Sequence, residues 1–194
     1  MQTFFLWNAL TIVPDRKQSI AMVGGGGKTS LIFRLCERPF AEEGNAQQIQ
    51  QNIEEYGYTV AASLDQNKSK IGSLTEEALV RLKGQADCIL IEADGAKRLP
   101  LKVPGEWEPV IPDFTDLVVG VIGMDAVGQM IRESCHRPER VAAFLNKEQT
   151  DPVTEADVIR IAVSDKALKK AVGRASIVFS IPSNAPPQIK SILV

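Results

Sequence analysis

The chain has 194 residues, 44% of them hydrophobic, which is enough for one domain with a sizeable core. Its 22 basic and 24 acidic residues leave a net charge of -2, so neither nucleic acid nor an anionic membrane is expected as a partner. Three cysteines, Cys36, Cys88 and Cys135, have no metal-ligand spacing, and their odd number suits a reducing, cytoplasmic setting.

Met1 to Ile12 contains the run Phe4, Phe5, Leu6, Trp7 but no basic start and no small-residue cleavage site. It reads as an N-terminal helix or strand rather than a leader. No stretch is long and apolar enough to span a bilayer. Short runs rich in Val and Ile follow at Ile20–Val23, Thr59–Ala62, Cys88–Ile91, Leu117–Ile122 and Ile177–Phe179. Helical patterns lie between or after them, at Lys28–Glu37, Ala46–Glu55, Thr75–Lys83, Pro138–Leu145, Thr154–Ala162 and Lys166–Val172. Continuous apolar strands alternating with helices predict an α/β fold: a mostly parallel sheet with helices on both faces. Thr154, with Asp157 three residues on, reads as a helix N-cap and its partner. The whole of 1–194 is expected to be a single α/β domain. A proline-rich arm at about 97–113 and a helical segment at about 138–172 would be its appendages.

The first chemical signal is Gly24-Gly25-Gly26-Gly27-Lys28-Thr29-Ser30. Four successive glycines cost chain entropy and pack nothing, so they need another reason. They follow an apolar strand and precede a helix bearing Leu31, Ile32 and Leu35. In that setting backbone N–H groups can cradle phosphates at the helix N-terminus, Lys28 can reach the outer phosphates and the Thr29 hydroxyl can take Mg²⁺. The match to G-x-x-x-x-G-K-[ST] is incomplete, because Met22 stands where the first glycine belongs. The alternative, a flexible linker, suits this strand-to-helix position poorly.

The second signal is an apolar strand ending in Glu92 and Asp94. Two residues apart, they would share a face and meet Lys28 at the carboxyl edge of the sheet, where they could hold Mg²⁺ or orient a nucleophile. Asp125 would be a further carboxylate at that edge. The charged residues Lys97, Arg98, Lys102, Glu106 and Glu108 read equally as a clamp for a phosphate or acidic substrate and as a solvated loop. His136 is the only histidine. By residue type alone a structural place, such as a helix cap, leads over a general base. Cys135 has no evident activating partner. Asn146-Lys147-Glu148-Gln149 starts like a guanine-recognition motif but ends in Gln, so ATP is preferred to GTP.

Taken in order, "VGGGGKTSLIFRL", "ILIEADGAKRLPLKVPGEWEPVIP", "DLVVGVIGMDAVG" and "HRPE" resemble the YqeC family, the selenium-dependent hydroxylase accessory proteins. The resemblance runs from Ser19 to about Ile161. It implies a P-loop-like, nucleotide-binding fold and a link to the maturation of selenium-dependent molybdenum hydroxylases. By position it implies a phosphate loop at Gly24 to Thr29, an acidic pair at Glu92 and Asp94, and a functional His136 within His136 to Glu139. It also implies a second strand ending in threonines after the first helix, and no such run stands between Arg38 and Ala46. A break in the chain is therefore expected at 38–41, and a similar one at 180–182.

The combined expectation is a cytoplasmic protein that binds ATP (or GTP) with Mg²⁺. Gly24, Gly25, Gly26, Gly27, Lys28, Thr29 and Ser30 would bind the nucleotide, and Thr29, Glu92 and Asp94 the metal. Lys28, Asp94 and His136 would serve catalysis. Its partners would be the nucleotide and a selenium or molybdenum cofactor species or the target hydroxylase. Two alternatives stand beside this: a small-molecule kinase or ligase-like transferase, and a non-catalytic carrier or chaperone switched by nucleotide.

Overall fold

A computed structural model describes residue 10 and residues 16–36, 51–55, 59, 61, 63–64, 71–72, 74–171, 176–180 and 191–193. Strand β1 (Gln18–Gly24) leads through the glycine loop into helix α1 (Lys28–Cys36). A two-stranded antiparallel ribbon of β2 (Ser63–Leu64) and β3 (Ile71–Gly72) follows, then α2 (Glu76–Gln85) and β4 (Cys88–Glu92). Beyond them come β5 (Leu101–Lys102), β6 (Leu117–Val121), α3 (Ile131–Ser134), β7 (Cys135–His136), α4 (Pro138–Leu145) and α5 (Glu155–Val163). Strands β8 (Ser176–Ser180) and β9 (Ser191–Leu193) complete the order.

The main sheet has the order β4-β1-β6-β8-β9, parallel except for β9. Strand β1 is flanked by β4 and β6, with Met22 opposite Glu92 on one side and Gly24 opposite Val121 on the other. The chain passes to one side of β1 to form β4 and then to the other side to form β6. This reversal opens a crevice at the carboxyl end of β1, where open α/β sheets bind ligands.

Period-two alternation distributes the apolar side chains to both faces of the sheet. Ile20, Met22, Leu117, Val119 and Val121 pack with Leu31 and Ile32 of α1. Val23 and Val118 pack instead with Ile131, Val141, Leu145, Val158 and Ile161 from α3, α4 and α5. The expected α/β architecture with a parallel sheet is therefore present, with helices against both faces. Helix α5 begins with a full capping box, Thr154 accepting from the Asp157 N–H while Asp157 accepts from the Thr154 N–H.

Local expectations are corrected in two places. Of the run expected as a strand at Thr59–Ala62, Thr59 and Ala61 lie outside any strand and the other two residues lie outside the described ones. The strand that follows is β2, which among the described residues pairs with β3 alone. The helix expected at Lys166–Val172 is a 3₁₀ turn at Leu168–Ala171. The Ser164 hydroxyl accepts from the Lys166 N–H, and i to i+3 bonds join Ala167 to Ser164 and Lys170 to Ala167, tightening the segment beyond α-helical pitch. The expected breaks at 38–41 and 180–182 fall on residues outside the described ones, save Ser180. So do most of Met1 to Ile12 and the first residues of the helix expected at Ala46–Glu55. Residues 51–55 are helical.

Candidate functional site

The glycine loop is tied down by its neighbours. Gly24 has φ +105°, and a Cβ there would stand 2.4 Å from the Val121 carbonyl oxygen. A Cβ on Gly25 would stand 1.9 Å from the Pro100 carbonyl oxygen. That oxygen also accepts from the Gly123 N–H at 2.9 Å, so the proline-rich arm is fastened between the loop and the end of β6. The Gly25 N–H donates to Val121 at 2.7 Å. Among the described residues the N–H groups of Gly26 and Gly27 find no acceptor. Together with the N-terminus of α1, they present bare donors to any anion in the crevice.

Lys28 is buried and folds back on its own loop. Its Nζ donates to the carbonyls of Gly24 at 2.8 Å and Gly25 at 3.1 Å and lies 3.1 Å from Asp94 Oδ1. Thr29 Oγ1 donates to Glu92 Oε2 at 2.8 Å, and Glu92 Oε1 lies 4.0 Å from Lys28 Nζ. Glu92 and Asp94 thus meet the same lysine, as their spacing predicts, but at different depths. The Glu92 side chain is 40% exposed, whereas that of Asp94 is wholly buried. Both Asp94 oxygens face the Gly24 N–H, at 3.1 and 3.0 Å, and Oδ2 is 3.1 Å from Lys102 Nζ.

Lys102, by sequence as much part of a solvated loop as of a clamp, begins a network. Its side chain is wholly buried and contacts Asp94, the Gly95 carbonyl at 2.8 Å and Glu108 Oε2 at 2.8 Å. Arg137 grips Glu108 with two bonds of 2.9 Å. Burial pushes the Glu108 carboxyl up. The hydrogen bonds from Lys102 and Gly105, the Lys102 charge and the bond from Arg137 outweigh that and hold its pKa at about 2. The signal in the sequence was the alternation of opposite charges along the arm. Only the pairing of β5 with β7, which sets Lys102 beside His136, brings Arg137 to Glu108.

His136 is buried at 8% exposure. Burial, with the charges of Lys102 and Arg137, lowers its pKa. Glu108 opposes this and Lys97 adds to it. Its ring makes no hydrogen bond among the described residues. Lys97 and Arg98 are exposed, form no ion pair among the described residues and have φ of 48° and 63°. Asp125 is exposed in the 3₁₀ turn Met124–Ala126. Burial raises the pKa of the Cys135 thiol, which does not suit a nucleophile. Asn146 ends α4 in a left-handed conformation and Lys147 pairs with Asp157, so this stretch serves to close a helix. Among the described residues no group of three or more His, Cys, Asp or Glu could hold a metal by itself. No helix among them is long and apolar enough to cross a membrane.

A family model, "YqeC protein", matches residues 39–139, just over half of the chain. The chain belongs to the YqeC family. The YqeC match takes in the acidic strand, the proline-rich arm and His136, while the glycine loop lies ahead of it. A curated Escherichia coli (strain K12) protein, "Uncharacterized protein YqeC", is 33% identical over 150 residues, which cover 63% of this chain and 58% of the relative. The chain therefore spans little more than half the length of that YqeC relative. No solved structure matches it.

Proposed function

We propose that the chain binds a Mg²⁺–nucleoside triphosphate, ATP in preference to GTP, at the loop Gly24 to Ser30. We further propose that it couples nucleotide binding or hydrolysis to the maturation of selenium-dependent molybdenum hydroxylases. The observation that carries the nucleotide reading is the position of Lys28. A buried ammonium lies among two loop carbonyls and a carboxylate, beside the free N–H groups of Gly26 and Gly27. Thr29 and Glu92 form the adjacent oxygen pair that would hold Mg²⁺. Asp94, placed among the metal ligands by sequence, has its oxygens directed at Lys28, Lys102 and Gly24, and in this reading it positions Lys28. The bound nucleotide would supply a phosphoryl group already activated for transfer. Gly26 and Gly27 would donate to its oxygens and Lys28 would neutralise its charge. The hydroxylase link rests on the motif resemblance.

A second reading is a small-molecule kinase or ligase-like transferase, with His136 as the base. The ring of His136, which makes no hydrogen bond among the described residues and whose pKa is lowered chiefly by burial, favours it.

The test is Mg²⁺–ATP affinity, measured by calorimetry, in the wild type and in Lys28→Ala. Loss of a charge-assisted contact predicts binding weaker by roughly 10- to 150-fold. Equal affinities in two folded proteins would overturn the reading.

A further inference from the structure

We infer that Lys102 is a positioning residue for the glycine loop: it holds the charge of Asp94, so that Lys28 can leave that carboxylate for a phosphate oxygen. This role rests on the nucleotide reading of the loop and deepens it.

Among the described residues, the donors of Lys28 are all engaged. An ammonium carries three N–H groups. Three oxygens lie close to Lys28 Nζ: the Gly24 carbonyl at 2.8 Å, the Gly25 carbonyl at 3.1 Å and Asp94 Oδ1 at 3.1 Å. A phosphate oxygen must take the place of one of them. The two carbonyls are neutral and belong to the loop itself. Asp94 is the charged competitor, and its side chain is wholly buried. Stripping a buried carboxylate of its cation is strongly unfavourable, so Asp94 with no second cation would keep Lys28.

Lys102 supplies that second cation. Its Nζ lies 3.1 Å from Oδ2, the other oxygen of Asp94. Both Asp94 oxygens also face the Gly24 N–H, at 3.1 and 3.0 Å. With Lys28 drawn to a phosphate, Asp94 would still have a buried ammonium and a backbone donor. The place of Lys102 is fixed from outside the loop. It follows Pro100, whose carbonyl accepts from the Gly123 N–H, and it pairs with His136 of β7. Its Nζ also donates to the Gly95 carbonyl at 2.8 Å.

Glu108 sets how far Asp94 can draw on Lys102. The same ammonium lies 2.8 Å from Glu108 Oε2 and 3.1 Å from Asp94, so two carboxylates share it. Arg137 takes up part of the Glu108 charge through two bonds of 2.9 Å and leaves more of Lys102 to Asp94. Removing Lys102 and removing Glu108 should therefore move nucleotide affinity in opposite directions. A residue that only braced the arm would not produce that pattern.

The experiment is Mg²⁺–ATP calorimetry on the full chain, with folding of each variant checked by circular dichroism. Lys102→Met leaves Asp94 with Lys28 and Glu108 with Arg137, so each carboxylate keeps a cation. It should bind Mg²⁺–ATP roughly 10-fold more weakly, because Asp94 then depends on Lys28. Glu108→Gln should bind roughly 2- to 5-fold more tightly, because Lys102 turns wholly to Asp94. Adding Asp94→Asn to Lys102→Met should bring affinity back to within about 3-fold of the wild type, because the competing charge is gone. Weaker binding in both single variants would overturn the inference, and so would no recovery in the double variant. Should Lys102→Met fail to fold, Glu108→Gln decides by itself: tighter binding supports the role, and equal or weaker binding overturns it. A wild type with no affinity for Mg²⁺–ATP overturns the nucleotide reading and this role with it. Binding that is lost in Lys28→Ala, while the variants at 102 and 108 both weaken it, overturns this role alone.

Discussion

The Cα of Gly25 faces the carbonyl of Pro100 so closely that a Cβ would lie 1.9 Å from its oxygen. The proline-rich arm is thus the wall against which the glycine loop is shaped. Gly25→Ala forces one of two backbones to move, and the Pro100 oxygen is held by Gly123. We expect destabilisation of about 1–3 kcal/mol, the usual range for overpacking, and weakened nucleotide binding. Gly84 in α2 has no atom within 4 Å of its added Cβ. Gly84→Ala should therefore stabilise the protein by about 0.5–1 kcal/mol through backbone entropy. Denaturant unfolding of both variants checks the contrast, and equal effects would show that the arm does not constrain the loop.

Asp94 and Glu92 are neighbours in sequence with opposite assignments. Asp94→Asn leaves two buried ammonium groups short of a counter-charge. Breaking a buried pair in this way should cost on the order of 3 kcal/mol. In a chain of this size that lowers Tm by roughly 6–12 °C. Glu92→Gln, at a half-exposed side chain, should change stability by no more than about 0.5 kcal/mol. It should instead raise the Mg²⁺ concentration needed for half-maximal nucleotide binding. An Asp94→Asn protein as stable as the wild type would remove Asp94 from its structural role. An unchanged Mg²⁺ titration in Glu92→Gln would remove Glu92 from the metal site.

Glu108 supplies a prediction on pH. Its folded pKa of about 2 lies below the ordinary 4.5, so its stabilisation is fully present above pH 4.5 and is lost as pH falls towards 2. The shift corresponds to a contribution on the order of 3 kcal/mol. Glu108→Gln should be less stable at neutral pH, and its stability should fall less steeply between pH 4.5 and 2. Urea unfolding at a series of pH values measures this. Parallel pH profiles for the two proteins would show that Lys102 and Arg137 do not stabilise the carboxylate.

His136 works in the other direction from a salt-bridged histidine. Its folded pKa is lowered, chiefly by burial and then by Lys102 and Arg137. The unfolded chain therefore binds the proton more readily, and stability declines as pH falls below about 6.5. Replacing His136 by Gln should flatten that part of the profile while leaving the Glu108 window in place. An unaltered slope near pH 6 in His136→Gln would contradict the lowered pKa.

Much of this molecule could be read from the order of its residues, because the information is local. The apolar run before Gly24 forms β1, the run before Glu92 forms β4, and Pro138 and Thr154 start α4 and α5 where the sequence places them. Strand period, cap chemistry and the conformational freedom of glycine act over a few residues, so the glycine loop, its lysine and the acidic strand end were visible without coordinates. Along the proline-rich arm, tertiary structure alone decided which charges meet. Nothing in the spacing of Asp94, Lys102, Glu108 and Arg137 says that Lys102 is buried between two carboxylates or that Arg137 closes the network from 29 residues away. That follows from the pairing of β5 with β7 and from the arm lying across the loop. The same packing sorted residues of one type into different roles. Glu92 stays half-exposed beside Thr29 while Asp94 is sealed under Lys28, because burial and pairing depend on what the fold lays over a side chain.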